Sequence, residues 1–183
     1  MSTSQIKYRT LSIEESNRIS EIDPSQWIEK VWRKIDGKYQ LVKIDFMEED
    51  WPDGFEAYRD AFKNTINSGG IAFGAFNKEG ACVGYVTLNN DFFGKTAKYL
   101  LLDSLFVSRP YRGIGIGKSL VNYCTTCAKT WGAEKLYTCA GSAEDTIAFY
   151  KSIGWVEATE INTALFEEDE RDIQLEYDLI KVK

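Results

Sequence analysis

The stretch Leu105-Phe106-Val107-Ser108-Arg109-Pro110-Tyr111-Arg112-Gly113-Ile114-Gly115-Ile116-Gly117-Lys118-Ser119-Leu120 decides the fold. An apolar, β-forming run passes through a proline and three alternating glycines into residues with helical spacing. Glycines at 113, 115 and 117 let backbone amides converge on one point, because side chains there would block close approach and some of these positions call for positive φ. The unpaired amides and dipole of the helix's first turn add to the attraction, so a phosphate or diphosphate is the natural ligand. Taken alone, the same turn also reads as tight packing of a helix on a sheet.

Spacing separates three phosphate-binding patterns. The P-loop needs a glycine five residues before Gly117-Lys118-Ser119, and that position holds Arg112. The dinucleotide fingerprint accepts Gly113 and Gly115 but meets Lys118 where its third glycine belongs, and the next strand ends in Ala140-Gly141 with no ribose-binding acid. A third pattern fits: Gln or Arg, two residues, Gly, one residue, then Gly or Ala, as Arg112, Gly115 and Gly117. On these residues, and on Ile147-Ala148-Phe149-Tyr150-Lys151-Ser152-Ile153-Gly154-Trp155 downstream, the chain resembles the GNAT superfamily of acyl-CoA N-acyltransferases. The likeness is close over about residues 71 to 160.

Working outward, residues 5 to 11 read as a strand, and Ser12 with Glu15 forms a capping box opening a short helix toward Ile22. Asp36-Gly37 marks a hairpin over 27 to 47. Phe55, Tyr58, Phe62 and Ile66 carry helical spacing until Gly69-Gly70. Strands follow at 71 to 76, 81 to 88 and 99 to 107, the first two joined by a short polar turn that makes them antiparallel neighbours. The helix after the glycine turn shows an apolar stripe of Ile116, Leu120, Cys124, Cys127 and Trp131. A strand at 136 to 140, a helix at 144 to 153 stopped by Gly154, a strand from Trp155 and a last strand at 172 to 179 complete a mixed α/β order. No repeat or linker interrupts it, so 183 residues read as one domain, 1 to 183.

Composition narrows the chemistry. There is no histidine, which excludes a Ser/His/Asp triad, a Cys/His pair and His-ligated metals. A net charge of −6 disfavours nucleic acid and anionic membranes and leans toward a cationic partner. The absence of a long apolar run or an apolar leader in Met1 to Lys7 points to the cytoplasm and to free thiols at Cys82, Cys124, Cys127 and Cys139. Cys124 and Cys127 form a CxxC without a second pair, and their place on the apolar stripe reads as core. The acidic runs 48 to 50 and 167 to 170 read as solvated loops.

The resemblance implies a mostly antiparallel sheet flanked by helices, with one splayed pair of parallel strands. It implies acetyl-CoA as co-substrate and no metal. Leu105, Phe106 and Val107 would offer backbone groups to the pantetheine, and Phe106 or Val107 would polarise the thioester. The amides of Arg112, Gly113, Ile114, Gly115, Ile116, Gly117 and Lys118 would hold the diphosphate. Many relatives carry an Asn contacting the cofactor where this chain has Ala143, and Ser142 is the substitute. Tyr150 matches the family's tyrosine that protonates the departing thiolate; the alternative is a core aromatic in register with Ile147 and Ile153. Read from the residues, Asp103 is the candidate base, a carboxylate in the apolar run 100 to 105; a solvated strand-edge Asp is the rival. The implied activity is direct transfer of acetyl to a primary amine of a small molecule. The extra hairpin and acidic balance resemble antibiotic-modifying members such as streptothricin acetyltransferases. A non-catalytic acyl-CoA sensor, a nucleotide-binding protein and a homodimer all stay open at this stage.

Overall fold

The computed structural model describes residues 6–180. Seven strands form one sheet in the order β1, β4, β5, β6, β7, β9, β8. They span Lys7–Leu11 (β1), Ile71–Phe76 (β4), Cys82–Leu88 (β5), Tyr99–Val107 (β6), Lys135–Ala140 (β7), Val156–Glu157 (β8) and Ile173–Asp178 (β9). Every neighbouring pair is antiparallel except β6 with β7. The fold is therefore the mixed, mostly antiparallel sheet that was expected. Gln5, the first residue of the expected opening strand, lies outside the described residues.

Helices cover both faces. α2 (Ile116–Trp131) and α3 (Glu144–Ser152) pack on one, burying Ile116, Leu120, Cys124, Ala128, Ile147 and Tyr150 against Phe73, Val86 and Leu100. α1 (Phe55–Asn67) and the segment Ile13–Glu21 cover the other, where Ile19, Ile22 and Phe62 meet Ala72 and Tyr85. That segment is a 3₁₀ helix rather than an α-helix. Its buried positions are Ser16, Ile19 and Ile22, every third residue, which matches three residues per turn. The capping box holds: the Glu15 carboxylate accepts from the Ser12 amide at 3.2 Å.

On α2 the apolar stripe bends toward Val121 and Ala128, leaving Cys127 and Trp131 only half-buried. A short helix, α4 (Thr163–Glu168), takes in Glu167 and Glu168 of the acidic run expected as a loop, and both remain exposed. Asn162 caps it, its side chain accepting from the Leu165 amide. Strands β2 (Gln26–Ile35) and β3 (Lys38–Glu48) form a separate hairpin, as expected from Asp36-Gly37. The hairpin is tied to the loop before α3 by the Trp32 amide donating to the Ser142 carbonyl at 2.7 Å. No helix among the described residues is long and apolar enough to cross a membrane.

Candidate active site

β6 and β7 pair over only three rungs, Tyr99 with Lys135, Leu100 with Leu136 and Leu101 with Tyr137. Both strands then continue without each other. β6 stays on β5 as far as the Gly84–Val107 rung, and β7 stays on β9 as far as Ala140–Ile173. A wedge opens between them, lined by backbone donors and acceptors that no strand satisfies, and unmet groups of this kind recruit an extended ligand.

The wedge is sharpened by a bulge. Val86 opposes Leu105 and Leu88 opposes Leu102, so β6 carries one more residue than β5 across this interval. The Ser104 amide donates to the Thr87 hydroxyl at 3.1 Å, and the Ser108 amide donates to the Val83 carbonyl at 2.9 Å. Both thus point at β5, and by strand alternation so does Phe106. The amides that face the wedge are those of Leu105 and Val107. Phe106, expected to offer its backbone there, instead places its ring against Trp51, Tyr58 and Tyr85.

Where the wedge ends, the chain makes a short 3₁₀ turn at Arg109–Tyr111 and then the glycine turn. Gly113 and Gly115 have φ of 77° and 90°, and a Cβ on either would meet nothing within 4 Å. Glycine is there for the left-handed backbone, and the side it leaves bare is open. Gly115 caps α2 with no side-chain bond, and the Ser119 amide is the one that reaches the Gly115 carbonyl, at 3.0 Å. The amides of Ile116, Gly117 and Lys118 accordingly have no intrahelical partner. Gly117 serves packing: a Cβ would lie 3.1 Å from the Phe149 ring of α3. Lys118 is exposed on this first turn. Arg112 works as a brace, its guanidinium donating to the Val107 carbonyl at 2.9 Å and the Pro24 carbonyl at 2.8 Å. These residues fit a diphosphate: two bare positive-φ glycines and free helix-start amides form a concave, donor-rich surface.

Tyr150 is buried between Phe149 and Trp155, with ring centroids 5.2 Å from each. Burial pushes its phenol up to about 12, opposed by a hydrogen bond from Thr138 of β7. It is thus a core aromatic and also a phenol anchored to the wall of the wedge. Ser142, the expected substitute for the family's cofactor-contacting Asn, lies in the loop before α3. Its hydroxyl is taken up by the Arg33 guanidinium at 2.5 Å, so it fastens the hairpin.

Asp103 sits in the bulge, exposed to water yet ringed by protein. Poor solvation raises its carboxyl above the usual range, the charge of Glu168 raises it further, and a Ser104 bond opposes both. It and Cys139 each stand two residues past the last rung, flanking the mouth of the wedge. Asp172, at the head of β9, escaped the sequence reading. Burial and then Asp169 push it up to about 6.

Because the fold raises Asp172 from 3.8 to about 6, the folded chain binds that proton more tightly than the unfolded chain between these pH values. Its contribution to stability is therefore most favourable below about pH 4 and is lost as pH rises through 6. The Asp172→Asn variant should melt higher than the wild type at pH 7.5 and at the same temperature at pH 3.5. Equal melting at both pH values would remove the assigned strain.

No curated protein sequence matches the chain at a significant level. Solved structures do match its fold. Nourseothricin acetyltransferase superposes with a TM-score of 0.73 at 21% identity, covering 96% of this chain and 99% of that one. A Bacillus anthracis protein assigned as a streptothricin acetyltransferase, in complex with acetyl coenzyme A, gives 0.69 at 16% identity, over 94% and 99%. PaiA N-acetyltransferase from Thermoplasma acidophilum, in complex with coenzyme A, gives 0.61 at 18%, over 94% and 98%. The profile of the acetyltransferase (GNAT) family matches residues 36–155, which takes in the bulge, the wedge, the glycine turn and α3. With well over half its length matched in this way, the chain belongs to the acetyltransferase (GNAT) family.

Proposed function

We propose that the protein is an N-acetyltransferase that moves acetyl from acetyl-CoA directly to a primary amine of a small molecule. The observation that carries this reading is the wedge beyond Leu101 and Tyr137, which opens beside a turn of bare positive-φ glycines. Together they suit one long ligand with amides at one end and a diphosphate at the other. The fold-level likeness to nourseothricin acetyltransferase favours a small-molecule acceptor over a protein.

Bound acetyl-CoA supplies an activated acetyl thioester. Free amides at Ile116 to Lys118 hold the diphosphate, and the wedge-facing groups of Val107 and Leu105 continue along the pantetheine arm. Running back along β6 from the turn, Leu105 is the farther of the two, so its N–H donates to the oxyanion that forms on the thioester oxygen. Asp103 takes a proton from the acceptor ammonium, whose ordinary pKa near ~10 leaves it unreactive at neutral pH. Tyr150 gives its phenolic proton to the departing sulfur. Each proton then has a source and a destination without histidine.

Consumption of acetyl-CoA over a panel of aminoglycosides, streptothricin, spermidine and peptide N-termini tests the class and the acceptor together. Thermal shifts with acetyl-CoA against ATP and magnesium test the cofactor, since a ligand bound only by the native state raises apparent stability. Asp103→Asn should lower kcat by about 10²-fold while leaving the KM for acetyl-CoA unchanged. It should also abolish the acidic limb of the rate profile, which the raised carboxyl places above that of a free Asp. Stabilisation by ATP alone, or full turnover in Asp103→Asn, counts against the assignment.

A further inference from the structure

A cavity of about 310 Å³ lies beside β9 and is lined in part by Tyr39 of the hairpin, Phe166 of α4, Asp172 and Gln174. Gln174 is 95% buried by its 5% exposure, and opposes Cys139 across the β7–β9 ladder. Its Oε1 accepts from the Cys139 thiol at 3.0 Å, while its Nε2 is buried with no hydrogen-bond partner. An unpaired buried amide donor is costly, by about 1–3 kcal/mol, and asks for an explanation. The same cavity carries Lys34 and Glu157, opposite in sign, and Asp172, so its walls sum to one negative charge. Asp169 and Asp53 add negative potential around Asp172, while Arg171 is engaged bidentately by Asp169.

Gln174 links this cavity to the reaction site through its cross-strand partner Cys139. Cys139 flanks the wedge mouth opposite Asp103 and feels the charges of Asp172, Glu168 and Asp103 together. Beyond the last β6–β7 rung the two strands splay, so Asp103 lies farther from β9 than the roughly 10 Å of two paired inter-strand spacings.

We propose that this cavity seats the far end of the acceptor, which is a diamine bearing an oxygen: its second ammonium pairs with Asp172 and its carbonyl or hydroxyl oxygen accepts from Gln174 Nε2. The inference rests on the acetyltransferase reading and specifies its substrate class. The ammonium acetylated at Asp103 and the one held at Asp172 are then separated by more than two paired-strand spacings, over ~10 Å, because the wedge intervenes. Tyr39 and Phe166 supply the aromatic walls of the cavity.

Calorimetric titration of the protein with coenzyme A present tests this with three probes: glycyl-lysinamide, spermidine and butylamine. Glycyl-lysinamide should bind tightest. Gln174→Leu should weaken glycyl-lysinamide about tenfold and leave spermidine unchanged. Asp172→Asn should weaken both by about tenfold and leave butylamine unchanged. Butylamine binding as well as glycyl-lysinamide, neither of the two polycations binding, or all three probes responding alike to both substitutions would overturn the proposal. Titration with acetyl-CoA alone keeps the outcomes apart: if it binds while glycyl-lysinamide and spermidine do not, the cavity assignment fails and the cofactor reading stands. If it does not bind, the acetyltransferase reading fails first.

Discussion

Gly115→Val should abolish detectable acetyl-CoA binding, raising Kd at least 100-fold, while the sheet and helices persist by circular dichroism. The reason is positional. Gly115 has a φ of 90°, and its absent Cβ would project into open space at the start of α2. A valine there fills the concavity and also strains the backbone, by about 1–2 kcal/mol for any L-residue held left-handed. Strain alone lowers melting by about 2–4 °C per kcal/mol in a chain of this size. Gly132 supplies the control within the same helix. It closes α2 with a φ of 89° and likewise meets nothing within 4 Å. Gly132→Val should therefore lose similar stability and keep its affinity for acetyl-CoA. If both variants bind equally, whether well or badly, the glycine turn is not the diphosphate cradle.

The same glycines explain why so much of this protein was legible before any coordinates. A turn that needs positive φ, a helix that starts on free amides and a strand that feeds it are all local, and local requirements leave local residues. The β6 boundaries, the hairpin at Asp36-Gly37 and the stop at Gly154 were read for this reason. What escaped depends on partners distant in the chain. Which amide of β6 faces the wedge turns on the bulge at Asp103 and Ser104, which is fixed by Thr87 on another strand. Nothing in Leu105-Phe106-Val107 itself discloses that parity.

The engagement of Ser142 with the hairpin escaped for a similar reason. Its partner, Arg33, is 109 residues away and belongs to a hairpin whose docking site no local pattern announces. α4 was missed because six residues are too few to display a helical period. Asn162, its cap, was the available signal. Asp172 was visible only as the first residue of a strand; its raised pKa comes from burial and from Asp169 and Asp53, which the fold assembles. The charges gathered around Asp172 are thus a product of topology, while the glycine turn is a product of sequence.

Tyr150→Phe should lower kcat by about 10²-fold, within the range for loss of a positioned acid, and change the KM for acetyl-CoA less than threefold. Tyr150 has two roles to separate, because its ring belongs to the core and its hydroxyl is bonded to Thr138. That bond opposes the upward push of burial and fixes the phenol's orientation. With the phenol pushed up to about 12, Tyr150 stays protonated between pH 6 and 10. The wild-type rate should consequently show no alkaline fall from this group in that range. Thr138→Val removes the bond and retains the acid. It should lose about 1 kcal/mol of stability, as Tyr150→Phe does, yet keep kcat within about fivefold, a loss of orientation worth at most ~1 kcal/mol. A purely structural tyrosine predicts something else: the two variants would match in melting temperature and in rate. Parallel losses in both quantities would return Tyr150 to the core and leave the thiolate to be protonated by water.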